Sequence, residues 1–349
     1  MDLLIIIVVS AFLAMLGFRP VHAFYKRMRL VDTPDWRKVD FNAVPLGGGF
    51  LLIMSLIMAI MLMLLVSGFS LSGPVVLLVI TTTLIFVLGT VDDSIMVRPG
   101  IKLLVVAILS YLFISFSGFR ILTFHGLFGV DELAVLVSYM LSILIMLVFV
   151  NMFNLIDGID GLASGIGITA LVFLVSVCEM VSLYEWSLIG GAVMGVLLVL
   201  FVNNHKEHKM YLGDGGSLAL GFILGAFVLC ILSGAEPRFD LVDYVAHGPV
   251  LILTLFWYPL LDLLRVFVLR LISGDSPFRA DRRHFHHLLV DRGLSHLAAS
   301  LIIVGLTFGL AGIALFMAGF LGVNTLFFVM IALALLCSFM VFVRPSKRD

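Results

Sequence analysis

Long apolar runs, separated by short polar stretches, repeat along the whole chain. A helix needs about 20 mostly apolar residues to cross a bilayer, with a range of roughly 17–25. We count eleven candidate segments, at residues 2–24, 46–68, 74–91, 101–118, 133–152, 162–178, 187–202, 211–232, 248–268, 297–321 and 324–343. The pattern predicts an all-α polytopic membrane protein with eleven transmembrane helices.

The composition of the chain supports this class. Its 349 residues are 62% hydrophobic and 12% charged, whereas soluble domains are about half apolar and about a quarter charged. The 21 Lys and Arg against 22 Asp and Glu leave a net charge of −1, so no net field attracts a polyanion. A cytosolic enzyme, a disordered chain and a nucleic-acid-binding protein are excluded.

The positive charges are sorted between the two sides of the predicted bundle. With the loops between segments numbered one to ten, the odd loops and the C-terminal tail hold seventeen of the 21 Lys and Arg residues. The even loops hold only Arg120 and Arg238. Cytoplasmic loops carry the excess of Lys and Arg. We therefore expect the N-terminus outside, and the odd loops and the C-terminus in the cytoplasm.

The unusual polar motifs also fall in the odd loops, beginning with Asp92 and Asp93 directly after an apolar run. Adjacent carboxylates repel each other, so a positive group should balance them. A divalent cation or a phosphate–Mg²⁺ unit would do so, and one carboxylate could accept a proton from a substrate. A simple polar stop at the membrane surface is the alternative.

A second motif repeats oxygen-bearing side chains every three residues, at Asn151, Asn154, Asp157 and Asp160. Residues at this spacing are neighbours on one helix face. Such oxygen ligands suit Mg²⁺ better than zinc. Glycines follow both aspartates and would permit a helix break or the close approach of a ligand. An ordinary Asp-Gly turn between two spans is the alternative.

A third motif, GDGGS at residues 213–217, precedes a long apolar segment. The N-terminus of a helix favours anions. Asp214 would repel a bare phosphate but would hold one through Mg²⁺, which predicts a metal-assisted phosphate site. Capping of the helix by Asp214 or Ser217 is the alternative.

A fourth motif places His284, His286 and His287 directly after Arg282 and Arg283. Clustered histidines are typical of zinc sites, but no Cys or acidic residue stands beside them at zinc spacing. We favour a cationic patch for phosphates or a sugar, since Arg and His both donate hydrogen bonds. A patch for membrane lipids is the remaining alternative.

Together these motifs predict a Mg²⁺-dependent site that handles phosphoryl groups at the membrane surface by positioning and charge neutralisation. A secondary transporter is the main rival, because Asp262 and Arg265 lie inside an apolar segment. Transporters, however, place such residues at the bilayer midplane, often in repeated halves. Asp262 and Arg265 are spaced i, i+3 and could be a structural pair. A lipid-binding scaffold would explain the cations but not the acidic motifs.

The motifs resemble the polyprenyl-phosphate N-acetylhexosamine-1-phosphate transferase family (glycosyltransferase family 4). The resemblance extends from about residue 31 to residue 293, with five motifs in the family's order. The stretch at residues 276–287 is more similar to the bacterial undecaprenyl-phosphate GlcNAc-1-phosphate branch than to phospho-MurNAc-pentapeptide translocase. The resemblance implies a single transferase domain over residues 1–349, with a cytoplasmic substrate-binding loop at residues 269–296.

The resemblance also implies the reaction. A lipid phosphate attacks the β-phosphorus of a UDP-N-acetylhexosamine, releasing UMP and requiring Mg²⁺, with Mn²⁺ as an alternative. The expected partners are a UDP-N-acetylhexosamine, for which UDP-GlcNAc is our choice among several, undecaprenyl phosphate and membrane lipids, with no nucleic acid, and a homodimer is left open. The expected location is the bacterial inner membrane, where the product would initiate a lipopolysaccharide or other cell-wall glycan. We expect direct displacement; a covalent phosphosugar on an aspartate is the alternative.

Finally, the resemblance implies roles for individual residues. The catalytic residues are Asp92 and Asp93, near the acceptor phosphate, and Asp214, which binds the metal with Asn154 as a possible second ligand. The uridine is held by Asn204, Asp157 and Tyr211, with Tyr211 stacking on uracil and Asp160 in the same pocket. The sugar and the diphosphate are bound by Arg282, His284, His286 and His287. Family members often carry a Lys soon after the paired aspartates; here the nearest cations are Arg98 and Lys102, and Lys102 is the expected substrate-binding residue.

Overall fold

The apolar segments form helices in the computed structural model, which describes residues 2–32, 43–67, 71–130, 132–206, 208–233, 247–274 and 283–343. The helices are α1 (Asp2–Arg27), α2 (Gly48–Ser67), α3 (Gly73–Ile95), α4 (Pro99–Ser117), α5 (Val135–Ile156), α6 (Leu162–Met180), α7 (Tyr184–Asn203), α8 (Gly213–Leu232), α9 (Gly248–Leu255), α10 (Trp257–Ile272), α11 (Phe285–Asp291), α12 (His296–Ala318) and α13 (Val323–Ser338). A two-stranded antiparallel ribbon pairs β1 (Val31–Asp32) with β2 (Val44–Pro45).

The prediction of an all-α polytopic protein is confirmed as to class. Within the described residues, nine helices are long and apolar enough to cross a membrane, and the α9–α10 pair adds a tenth candidate. The remaining predicted segment corresponds to α2, which counts as a shorter apolar helix over Gly48–Leu62. Each of the eleven predicted segments therefore corresponds to one of these helices or to the α9–α10 pair, with differences of a few residues at their ends.

One predicted span differs from a straight helix. Residues 248–268 were expected to form one helix, but α9 and α10 are bent by 71° at Phe256. Pro259 stands in the first turn of α10. A proline lacks the backbone N–H and its ring clashes with the carbonyl four residues earlier, which here belongs to Leu255. The helix therefore breaks before the proline and resumes in a new direction.

Helix α8 lies at the centre of the bundle. Every residue from Gly215 to Leu232 is buried, whereas the Asp214 side chain, in the first turn, is 34% exposed. Glycines bring the neighbouring helices close: a Cβ at Gly89 of α3 would lie 2.5 Å from the Asp214 carbonyl oxygen. Small residues allow such backbone contact between membrane helices. The GDGGS motif is thereby held against the end of α3.

The start of α2 braces the same end of α8. The backbone N–H groups of Gly48 and Gly49 donate to the carbonyl oxygens of Tyr211 and Leu212, at 2.9 and 3.0 Å. The Tyr211 N–H in turn donates to the Pro45 carbonyl oxygen of β2 at 2.9 Å. The ribbon and the PLGGG stretch at residues 45–49 thus fix the chain that leads into α8.

Candidate active site

Lys102 joins the paired aspartates to the GDGGS motif. Its ammonium lies 2.5 Å from Asp92 Oδ2 and 2.7 Å from Asp214 Oδ2. Lys102 is in the first turn of α4, whereas the two carboxylates come from the end of α3 and the start of α8. The second oxygen of Asp92 accepts the Val97 N–H at 2.7 Å. This carboxylate–lysine cluster, Asp92–Lys102–Asp214, is the centre of the candidate site.

Asp93 and Asp92 have different surroundings. Asp93 accepts the backbone N–H groups of Asp214 and Gly215, at 3.0 and 3.3 Å. These are among the first N–H groups of α8, which have no partner inside their own helix. Asp93 therefore caps α8 and holds Asp214 in place. The capping predicted as an alternative for Asp214 or Ser217 is supplied by Asp93 instead.

Asn154 reaches the cluster from the last turn of α5. Its side-chain nitrogen lies 2.8 Å from Asp214 Oδ1 and 3.1 Å from Ser217 Oγ. Asn151, one helical turn earlier, instead donates to the carbonyl oxygen of Leu147 in its own helix. Of the two asparagines in the row, only Asn154 is thus brought to the cluster.

Asp157 follows α5 and is half-buried. Burial raises the pKa of Asp157 well above its usual range, and the nearby carboxylates of Asp214, Asp93 and Asp160 raise it further. Within the described residues, no hydrogen-bond donor or cation contacts its carboxylate. An acidic group in this position needs either a proton or a cation to balance it.

Asp214, Asn154 and Asp157 place side-chain oxygens of the kind that bind magnesium around the cluster. Among the described residues, no three His, Cys, Asp or Glu side chains converge closely enough to form an all-protein metal site. Magnesium is commonly bound through one or two carboxylates together with waters and substrate phosphates. The oxygens of Asp214 and Asn154, beside the unbalanced Asp157, fit that manner of binding.

Asp160 contacts protein groups of its own. Its Oδ2 lies 3.0 Å from Lys209 Nζ and 3.3 Å from His296 Nδ1, and Ser300 donates to its carbonyl oxygen. Burial would raise the pKa of Asp160, but His296 and Lys209 outweigh it and lower the pKa. Asp160 therefore ties the DGIDG turn, residues 157–161, to α12 and to the loop before α8.

The residues expected around uridine lie next to this turn. Lys209 Nζ is 5.5 Å from the centre of the Tyr211 ring. Tyr211 is half-buried and is held through its backbone by α2 and β2. Asn204 is 5% exposed, and its Oδ1 accepts the Met210 N–H at 3.4 Å. Asn204 thus shapes the loop that carries Lys209 and Tyr211.

The described histidines of the fourth motif are largely buried. His284 and His286 are 4% and 0% exposed. Tyr258 OH lies 3.0 Å from His286 Nδ1, and the rings of His286 and His287 are 4.3 Å apart. Burial lowers the pKa of His286 well below its usual value, and the neighbouring histidines add to this. Arg282 falls outside the described residues, as do residues 275–281.

The histidine motif adjoins the DGIDG turn. A Cβ added to Gly158 would lie 2.8 Å from His286 Nε2, a buried nitrogen without a hydrogen-bond partner among the described residues. Only glycine permits this approach of turn and ring. The structure therefore joins the acidic motifs and the histidine motif into one site, at the end of the bundle where α8 begins.

Several residues that contact the site were not assigned a role from the sequence. Asp262 contacts His284, Tyr258 contacts His286, and Lys209 and His296 contact Asp160. From the sequence, Asp262 and Arg265 suited either a transporter or a structural pair; their side chains lie 3.7 Å apart, so the pairing is confirmed. A charged residue in an apolar helix is itself a signal of function.

The fold and the site define a helical membrane protein with an acidic, lysine-bridged cluster at one end of its bundle. Residues 75–232 match the family described as Glycosyl transferase family 4. That region contains the paired aspartates, the DGIDG turn and the GDGGS motif. The histidine motif lies beyond it.

Similar proteins extend the match over most of the chain. The undecaprenyl-phosphate alpha-N-acetylglucosaminyl 1-phosphate transferase of Yersinia pestis is 28% identical over 320 residues, 89% of this chain and 82% of its own. The protein of the same name from Escherichia coli (strain K12) is 26% identical over 80% of this chain and 74% of its own. A probable undecaprenyl-phosphate N-acetylglucosaminyl 1-phosphate transferase of Bacillus subtilis (strain 168) is 27% identical, with 88% and 85% covered. The resemblance predicted from the motifs is confirmed: residues 75–232 match glycosyl transferase family 4, and most of the chain is similar to proteins named as sugar-phosphate transferases.

Proposed function

We propose that this protein transfers GlcNAc-1-phosphate from UDP-GlcNAc to undecaprenyl phosphate. The products are undecaprenyl-diphosphate GlcNAc and UMP. The names of the similar proteins support the acceptor and the transferred group. The observation that carries the proposal is the lysine bridge between Asp92 and Asp214, since it brings a cation and two carboxylates to one point at the helix ends.

The acceptor would enter at Lys102. A phosphate monoester has a second pKa of about 6, so the lipid phosphate is mostly a dianion at neutral pH and is already a nucleophile. Proton removal by Asp92 or Asp93 therefore adds little. Lys102 supplies the positive charge that draws the phosphate in, and Asp92 holds the ammonium in place. An attack of the phosphate oxygen on the β-phosphorus then expels UMP in a single displacement.

The donor would occupy the neighbouring side of the site. Asp157, Asn204 and Tyr211 surround the uridine, while Asp160 holds the DGIDG turn through Lys209 and His296. The sugar and diphosphate face the histidine motif, which adjoins the turn at Gly158. His286 is neutral at physiological pH because burial lowers its pKa. It therefore acts as a neutral hydrogen-bonding group.

Mg²⁺, or Mn²⁺ in its place, would be held by Asp214 and Asn154. When bound, it neutralises charge on the diphosphate. The chain's own contribution is positional: Asp93 caps α8 and so holds Asp214 at the helix end. Burial and the charge of the nearby Asp214 carboxylate raise the pKa of Asp157, so a bound cation would also offset the charge of Asp157.

The site would face the cytoplasm of a bacterial inner membrane. The sorting of Lys and Arg supports this orientation, because the site motifs share the cation-rich side. The product would start a cell-surface glycan of the O-antigen, enterobacterial common antigen or teichoic-acid type. The phospho-MurNAc-pentapeptide translocase reaction is the competing activity within the same family.

The test is an assay of purified protein in liposomes with undecaprenyl phosphate, Mg²⁺ and radiolabelled UDP-GlcNAc. We expect UMP release and a labelled lipid in equal amounts. A panel of UDP-N-acetylhexosamines, including UDP-MurNAc-pentapeptide, identifies the donor. Exchange of labelled UMP into UDP-GlcNAc without lipid would contradict direct displacement. Accumulation of unmodified UDP-GlcNAc inside the liposomes would instead indicate a transporter.

A further inference from the structure

We propose that Asp262 is a positioning residue for the transfer reaction, which orients His284 and determines which of its ring nitrogens carries the proton. This inference rests on the proposed function, because it concerns how the histidine motif meets the sugar diphosphate. Asp262 lies in α10, after the bend at Phe256, and 22 residues separate it from His284 along the chain.

Both carboxylate oxygens of Asp262 contact consecutive residues of the histidine motif. Its Oδ2 lies 2.8 Å from His284 Nδ1, and its Oδ1 accepts the Phe285 N–H at 3.0 Å. Asp262 is 1% exposed and His284 is 4% exposed, so water does not compete for these bonds. One carboxylate therefore holds the ring and the backbone of the motif at the same time.

An ionised carboxylate only accepts hydrogen bonds. His284 must therefore carry a proton on Nδ1, and its Nε2 is the nitrogen left to accept a hydrogen bond or to gain a second proton. Tyr258 is one turn earlier on the same helix face and contacts His286 Nδ1 at 3.0 Å. A hydroxyl can donate or accept, so Tyr258 does not impose a tautomer in the same way. The constraint is specific to Asp262 and His284.

Arg265 completes the support from α10. Its Nη1 lies 3.7 Å from Asp262 Oδ1 and donates to the Arg283 carbonyl oxygen at 2.6 Å. Its guanidinium is 4.4 Å from the centre of the Phe285 ring. A buried carboxylate is costly without a charge partner, and Arg265 supplies one without occupying His284. Residues 283–285 are thus held at successive positions by a single helix face.

The decisive variant is Asp262→Asn, which keeps the size of the side chain and an oxygen for the Phe285 N–H. Its new amide group donates toward His284 Nδ1, so the proton must move to Nε2. In protein labelled with ¹⁵N-histidine, we expect the Nδ1–H tautomer of His284 in the wild type and the reversed tautomer in Asp262→Asn. The His284→Gln variant identifies the ¹⁵N signal of His284, because that signal is absent from its spectrum.

Activity separates positioning from a purely structural role. Loss of the group that orients a metal-bound histidine typically costs about 10- to 100-fold, and for Asp262→Asn we expect a fall of the same order in kcat/KM for UDP-GlcNAc. If Asp262 acts through His284, the double variant Asp262→Asn/His284→Gln is no slower than His284→Gln alone, because coupled residues are not additive. Asp262→Glu retains the carboxylate and should keep the wild-type tautomer.

Glu185→Gln is the matched control. Its carboxylate also joins distant parts of the chain, accepting the Ser72 N–H at 3.2 Å and the Ser72 hydroxyl at 2.5 Å. It stands at the first turn of α7, whose last turn leads to the site. We expect wild-type rates and tautomers for this variant.

Two results would overturn the inference: an unchanged His284 tautomer in Asp262→Asn, or single-variant losses that multiply in the double variant. A wild-type protein that transfers no sugar phosphate refutes the proposed function instead. In that case the tautomer measurement still decides whether Asp262 positions His284. If Asp262→Asn does not fold, Asp262→Glu decides, since a reversed tautomer there contradicts the inference.

Discussion

Replacing Lys102 with methionine tests the centre of the site, because Met has a similar length and no charge. The wild-type ammonium contacts Asp92 and Asp214 at 2.5 and 2.7 Å, with side-chain exposures of 15% for Lys102, 12% for Asp92 and 34% for Asp214. Lys102→Met leaves two carboxylates facing each other without the cation between them. In the same variant, the acceptor phosphate loses the positive charge that is proposed to bind it.

The size of the effect follows from the burial of the cluster. Truncating one partner of a buried, hydrogen-bonded charge pair weakens binding by about 2–5 kcal/mol, and Lys102 is proposed to form such a pair with the acceptor phosphate. The site is partly open, since Asp214 is about a third exposed, and solvent screening reduces the contribution of exposed pairs, so we take about 3 kcal/mol. With about 1.4 kcal/mol for each factor of ten, kcat/KM for undecaprenyl phosphate should fall about 100-fold. Lys102→Arg should recover part of the rate, since the charge remains but its geometry differs.

The assay measures initial rates in liposomes while the lipid and the UDP-sugar are varied separately. The loss should fall mainly on the lipid, because Lys102 is proposed to bind the acceptor phosphate. The matched control is Lys206→Met, which removes an exposed ammonium that contacts Asn203 Oδ1 at 3.3 Å and should leave the rate unchanged. A Lys102→Met protein that folds and retains kcat/KM for the lipid within threefold of wild type would refute the reasoning.

Three further predictions address the metal, the packing and the charge of the site. Asp214→Asn should abolish turnover, and near-normal rates at saturating Mg²⁺ would contradict the metal assignment. Gly89→Ala should lower the thermal midpoint and the rate, because its Cβ would lie 2.5 Å from the Asp214 carbonyl oxygen; Gly305→Ala, with no atom within 4 Å, is the control and should be neutral or slightly stabilising. Asp157→Asn should stop turnover yet raise the midpoint at pH 7 in EDTA. The pKa of Asp157 is raised in the folded protein, which means that its charged form opposes folding. The wild-type protein therefore loses stability as the pH rises through the folded pKa of Asp157. The difference in thermal midpoint between Asp157→Asn and the wild type should vanish below about pH 3.9, the pKa of Asp in the unfolded chain. An equal difference at pH 7 and below pH 3.9 would contradict this prediction.

The helices were predictable because each segment carries enough apolar residues to be stable in a bilayer, whatever its neighbours. The bend between α9 and α10 was not foreseen, although Pro259 was visible in the sequence. Membrane helices tolerate proline when neighbouring groups satisfy the freed backbone. Whether such a helix kinks or breaks depends on that tertiary packing, which hydropathy does not record.

The acidic motifs were predictable as one site, but their connections were not. The segment order placed the end of α3 and the start of α8 on one side of the bundle. It did not reveal that Lys102, nine residues after Asp93, reaches Asp214. That contact depends on the close approach of α3 to α8, which Gly89 permits. A glycine in an apolar run has many ordinary explanations, so its meaning appears only once the partner backbone is known.

The structure changes the interpretation of Asp262, a charged residue in an apolar segment. From the sequence, Asp262 with Arg265 suited either a transporter or a structural pair, and the i, i+3 spacing permits the pair without identifying any other partner. In the structure, Asp262 uses both oxygens on residues 284 and 285, after the bend has turned α10 toward the histidine motif. The bend therefore brings the buried carboxylate of Asp262 to the histidine motif that it contacts. A charge that is hydrogen-bonded to the histidine motif and paired with Arg265 is accounted for by these contacts and requires no transport pathway.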